Sequence, residues 1–141
     1  MSPKIVSRML LALACLALLA GCKKDAQVDS VLTELDTFTK EMVAKIDSAP
    51  NPSAGVDAAQ KFLDSRKADL QAKLGTLKGL RGYQVSDETK KKMMESMTQN
   101  VMSVGKLKIK YMSSAMRDPA LNAKLDKLNT DYQALLKSMG E

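Results

Sequence analysis

The sequence predicts an all-α fold, an antiparallel bundle of about four amphipathic helices, on three observations. Apolar residues recur at three- and four-residue steps through most of the chain, which is the helical period. Proline- or glycine-bearing breaks fall at Ala49-Pro50-Asn51-Pro52, between Gly79 and Gly82, and at Asp118-Pro119. No stretch alternates apolar and polar residues as a half-buried strand does. Helices with such short connections pack by default as a bundle.

The first helix is expected from about Asp25 to Ser48, with Val28, Val31, Leu32, Leu35, Phe38, Met42 and Ile46 on one face. Asn51 suits the N-cap of the second, and Pro52 suits the first helical position, where its missing N–H is not needed. That helix runs to about Lys78 on Val56, Ala59, Phe62, Leu63, Leu70, Leu74 and Leu77, interrupted near Arg66. Ser86 caps the third, with Asp87 and Glu88 at the positive end of its dipole. Its expected stripe is Met93, Met97, Val101, Val104, Leu107 and Tyr111, widened by Met94, Met102, Ile109, Met112 and Met116, with Gly105 as a point of bending. Asp118-Pro119 repeats the cap-plus-proline start. The last helix carries Leu121, Leu125, Leu128, Tyr132, Leu135 and Met139 in a narrow seam alternating four and three.

The first 22 residues read differently. Lys4 and Arg8 precede the apolar run MLLALACLALLA (residues 9–20), which is short of the 20 or so residues a comfortable span needs. A basic start, a short apolar middle and a small-residue end are the parts of an export signal. The end, Leu19-Ala20-Gly21-Cys22, resembles the lipobox of bacterial lipoproteins. The resemblance covers residues 1–22 and implies cleavage before Cys22, acylation of its thiol and attachment to a lipid bilayer. It divides the chain into a signal peptide (1–21), a lipidated tether (22–24) and a helical domain (25–141). In enterobacterial lipoproteins an Asp after the acylated cysteine favours the inner membrane. Lys23 stands there instead, so the resemblance implies the periplasmic face of the outer membrane. No family resemblance is evident for residues 23–141. Cys15 lies inside the apolar run and is expected to leave with it, so neither a disulfide nor thiol chemistry remains.

Composition then limits function. Removing residues 1–21 takes Lys4 and Arg8 from a net charge of +6, leaving a mildly basic domain of ordinary size. That balance permits contact with an anionic surface and, in an exported chain, argues against nucleic acid. Candidate contacts are Lys23, Lys24, Lys90, Lys91, Lys92, Lys106, Lys108 and Lys110, with a solvated face as the plain reading. The chain has no His, so Ser-His-Asp and Cys-His nucleophile systems cannot be built, and zinc sites of the usual composition are excluded. Ser103-Val104-Gly105-Lys106 matches an S-x-x-K pattern but lacks the companion motifs. Glu34 with Asp36, and Asp64 with Asp69, form no inward acid/base pair on the expected faces. No cofactor is implied.

Methionine is the remaining distinctive feature, with six residues between Met93 and Met116. Most lie on the stripe that packing would claim, so they are expected to fill the core. Two alternatives remain. One is a flexible Met-rich surface for apolar partners, and the other is a soft thioether site for Cu(I) at Met93, Met94 and Met97. The sequence thus predicts a membrane-tethered, non-enzymatic helical interaction module with an envelope protein partner. A chaperone or carrier for apolar clients is the alternative.

Overall fold

The computed structural model of this chain describes residues 24–80 and 84–137. The elements are α1 (Pro3–Asp47, with side chains described from Lys24 onward), α2 (Pro52–Lys78), α3 (Asp87–Lys110), the single-turn α4 (Met112–Ala115) and α5 (Pro119–Lys137). No strand occurs among the described residues. The expected all-α bundle is therefore what forms.

The caps act as the sequence suggests. Asn51 Oδ1 accepts from the Ala54 N–H at 2.9 Å, and Ser86 Oγ accepts from Thr89 N–H at 3.2 Å. Asp118 Oδ1 accepts from the N–H groups of Ala120 and Leu121. Each satisfies donors that a helix start leaves orphaned.

Helices α1 and α2 form one αα-hairpin and α3 and α5 another, so consecutive helices in each run antiparallel. The two hairpins then lie side by side, with α1 against α3 and α2 against α5. Those two sides are parallel. Asp25 meets Ser86, Asp36 meets Ser96, and Asp47 meets Lys110 along α1 and α3. Asp57 meets Lys124 and Gln60 meets Asp131 along α2 and α5. Helices α2 and α3 consequently sit across the bundle diagonal from each other.

The core is aliphatic, as the absence of Trp requires. Leu35, Met42 and Ile46 of α1 pack with Val56, Leu63, Leu70 and Leu74 of α2 and with the α5 seam of Leu121, Leu125, Leu128, Tyr132 and Leu135. Burying one such side chain is worth about 1.5–3 kcal/mol. Phe38 and Phe62 stack with centroids 5.1 Å apart, and Lys45 lies over the Phe62 ring at 4.7 Å. The interruption near Arg66 is an electrostatic seam: Arg66 and Lys73 both bond Glu34 of α1, at 3.2 and 2.6 Å. Gly55 sits where the start of α2 lies tight against the end of α1. A Cβ there would sit 2.6 Å from the carbonyl oxygen of Ile46 and 2.7 Å from its Cα. A second, smaller cluster of Val28, Leu32 and Leu77 closes the end where α2 finishes and α3 begins.

The third expected helix departs from its predicted extent. The helix turns off at Tyr111 (φ −103°, ψ 13°), leaving Met112–Ala115 as its own turn. Helix α3 runs uninterrupted through Gly105. The Tyr111 hydroxyl donates to Asp47 of α1 at 2.7 Å while its ring packs on the core, and this tertiary tie sets the break.

Candidate functional site

Helix α3 differs from the other long helices in carrying a polar stripe inward and large apolar side chains outward as well. Its inward face carries Thr89, Ser96 and Asn100, three of the four buried polar residues among those described. Only Val104 and Leu107 of α3 join the core as buried apolar residues. The polar groups are satisfied by α1. Asp36 Oδ1 accepts from Ser96 Oγ and from Asn100 Nδ2, each at 2.6 Å, and Asn100 Nδ2 also donates to Ser96 Oγ at 3.2 Å. Asp25 accepts from the backbone N–H of Ser86 at 2.9 Å, and Asp47 accepts from Lys110 and Tyr111 at 2.6 and 2.7 Å. The Ser86 backbone bond holds the Asp25 carboxyl below its ordinary range, and bonds from Lys110, then Tyr111, do the same for Asp47. Hydrogen bonding to the charged form of a carboxylate has this effect.

The outward side of the same segment is apolar. Met94 (65 % exposed), Val101, Met102, Ile109 (71 %), Met112 and Met116 (81 %) are all the exposed large hydrophobic residues among those described; five lie on α3 or α4, and Met116 caps the end of α4. This corrects the expectation that methionine fills the core: Met42 does, but Met94, Met102, Met112 and Met116 do not. Of the expected inward stripe, Val104 and Leu107 are buried, Met93, Met97 and Tyr111 are half-buried, and Val101 is exposed. The physical reason is the Asp36 carboxylate. It supplies partners for the polar stripe, so that stripe turns inward and the apolar one is displaced to solvent.

Between α3–α4 and the start of α5 the apolar side forms a shallow groove of about 590 Å³. Ile109, Met112 and Met116 line it together with Gly105 of α3 and Pro119 and Asn122 of α5. It lies toward the end of the bundle opposite Lys24. That distance is about 35 Å along α1 from Lys24 to Asp47, at 1.5 Å per residue.

Other predicted site residues are dispersed. Met93 packs on the small end cluster whereas Met94 is in solvent, so the proposed Cu(I) trio is split between two surroundings. The lysines do not form one face either. Lys90, Lys91 and Lys92 pair with Asp87, Glu95 and Glu88 of their own helix. Lys108 reaches Asp126 on α5 and Lys110 reaches Asp47 on α1, each at 2.6 Å. Lys106 is exposed and has no ion pair among the described residues. Lys24 is half-buried. Cys22, Lys23 and the whole signal segment lie outside the described residues, as does Met139. Among the described residues no helix is long and apolar enough to cross a membrane, and no group of three His, Cys, Asp or Glu side chains is placed to hold a metal.

Sequence reasoning missed Asp36, which was set aside for lack of an inward carboxylate partner. Its partners are an amide and a hydroxyl on another helix. A signal was present: Ser96 and Asn100 stand four residues apart in α3.

No protein-family model, no curated protein and no solved structure matches this chain.

Proposed function

We propose that this chain is a lipid-anchored envelope protein whose helical bundle serves as a non-enzymatic interaction module. The observation that carries the reading is the displaced apolar face. An exposed contiguous apolar surface on a soluble fold is costly in water and marks an interaction site. Support for the anchor comes from Leu19-Ala20-Gly21-Cys22 after a short apolar run. Acyl chains on Cys22 would fix the bundle at the end from which α1 emerges, leaving the groove far from the bilayer, toward the periplasm. Lys23 after the acylated residue favours the outer membrane.

Metabolic labelling with palmitate tests the anchor. Label incorporates into the wild-type chain, and Cys22→Ser abolishes it and moves the protein out of the membrane fraction. Label retained by Cys22→Ser, or a mature N-terminus elsewhere than residue 22, overturns it.

The second reading is a carrier or chaperone for apolar clients, and the exposure of four methionines on one side of α3–α4 favours it. Thioether side chains adapt to varied apolar shapes. Suppression of aggregation of a model client at modest molar ratio is the outcome it requires, and a flat result removes it. Cu(I) binding at Met93, Met94 and Met97 has less support, because those side chains do not share one environment.

A further inference from the structure

The exposed residues of α3–α4 are spaced in a pattern of their own. Thr98, Met102, Gly105, Ile109, Met112 and Met116 follow steps of four, three, four, three and four. That is the heptad seam of a helix that packs against another helix. Beyond the break at Tyr111 a further helical turn forms, with Ala115 N–H donating to the Tyr111 carbonyl at 2.8 Å and Met116 N–H to the Met112 carbonyl at 2.9 Å. Met112 and Met116 line the same groove as Ile109, so the apolar surface extends past the break. At its centre Gly105 presents no side chain, and a Cβ there would meet nothing within 4 Å. This leaves a low point where a second helix can approach closely.

The charge beside the seam identifies the occupant. The flanking positions hold Gln99, Val101, Lys106, Lys108, Ser113 and Ala115: two lysines, one on each side, and no acid. Lys106 has no ion pair among the described residues. Lys108 is held by Asp126, but both side chains are about half exposed, and such a pair contributes little. Flanking charges of one sign select a partner of the other. A second copy of this chain would bring only lysine and neutral residues to the same flanks, setting like charges beside the two seams.

We infer that the α3–α4/α5 groove docks an amphipathic helix from a partner protein, one that carries carboxylates on both flanks of its apolar seam. The inference deepens the proposed function and rests on it in taking the groove to be an interaction site. The partner's apolar residues fill the space beside Ile109, Met112 and Met116, and its carboxylates reach Lys106 and Lys108.

The purified full chain is titrated with a fluorescent helical peptide bearing Leu at its seam and Glu on both flanks, and with the same seam flanked by Lys. The Glu-flanked peptide should bind saturably and about tenfold or more tighter, with the difference shrinking at high salt. Ile109→Asp and Lys106→Glu should each weaken its binding by about tenfold or more, and circular dichroism should stay unchanged because both positions are exposed. Equal affinity for the two peptides, or binding indifferent to Ile109→Asp, overturns the inference. So does sedimentation that finds a dimer which Ile109→Asp dissociates, since a second copy would then cover the seam. Cys22→Ser should leave peptide affinity untouched, which separates failure of the groove from failure of the anchor.

Discussion

Thr39 and Tyr132 make a polar contact that reaches diagonally across the core, and substituting them separately and together should give unequal, non-additive losses. Both residues are buried, at 1 % and 0 % exposure, and their hydroxyl oxygens are 2.5 Å apart. Thr39 Oγ1 also donates to the Leu35 carbonyl at 2.9 Å, so its hydrogen is committed and Tyr132 donates the shared one. Tyr132→Phe then removes a donor and leaves Thr39 still bonded to Leu35, a loss of about 1 kcal/mol. Thr39→Val leaves the Tyr132 O–H buried with no acceptor, which costs about 2–3 kcal/mol. The double variant removes both partners and should be more stable than Thr39→Val alone, with a coupling of about 1–2 kcal/mol. Urea unfolding followed at 222 nm measures all three on a common slope. Losses that add, or a Thr39→Val no worse than Tyr132→Phe, would refute the donor assignment and with it the account of this contact.

The same hydroxyl makes an alkaline prediction: burial pushes Tyr132 up to about 12 from its ordinary 10, so the folded state keeps the proton over a range in which the unfolded chain loses it. That stability is whole below pH 10 and is lost as pH rises toward 12, about 2–3 kcal/mol in all, and Tyr132→Phe should erase this step in urea midpoints taken across that range. At the acid end, Asp25 and Asp47 are held low by α3, so their stabilisation is present above the ordinary carboxylate range and lost as pH falls through their lowered values. Hydrogen exchange should accordingly show α3 losing protection before α1 and α2 on acidification, and simultaneous loss in all three would count against it. Gly55→Ala places a methyl against the Ile46 backbone and should cost about 1–3 kcal/mol. Gly75→Ala, in a helix with nothing within 4 Å of the new Cβ, should instead stabilise by about 0.5–1 kcal/mol, and thermal melts of the pair distinguish these signs.

Local signals in the sequence were reliable where one element decides its own fate. Asn51-Pro52, Ser86 and Asp118-Pro119 begin helices because their side chains and fixed torsions act within three residues. The faces of α1, α2 and α5 were legible because each has only one apolar stripe to bury. Helix α3 has a second apolar stripe: the first, from Met93 to Tyr111, turns inward apart from Val101, whereas the residues expected to widen it, Met94, Met102, Ile109, Met112 and Met116, are exposed. The choice is made by Asp36, sixty residues away from Ser96, and no local pattern encodes that meeting. The break at Tyr111 escaped notice for the same reason, since Asp47 on another helix supplies its partner. The methionine content therefore offered an apolar surface only as an alternative to a filled core, and the groove's place beside α5 was not legible.

The three aspartates that hold α3 stand at positions 25, 36 and 47, at even steps of three helical turns, about 16 Å apart at 1.5 Å per residue. They work as a vernier between the two hairpins. Sliding one hairpin along the other by a single turn, about 5.4 Å, would unseat all three carboxylates at once, whereas a purely aliphatic contact would re-mesh at the next notch. The scarcity of apolar groups on the inner side of α3 thus costs adhesion but fixes the longitudinal setting of the bundle, and with it the height at which the outer seam is displayed.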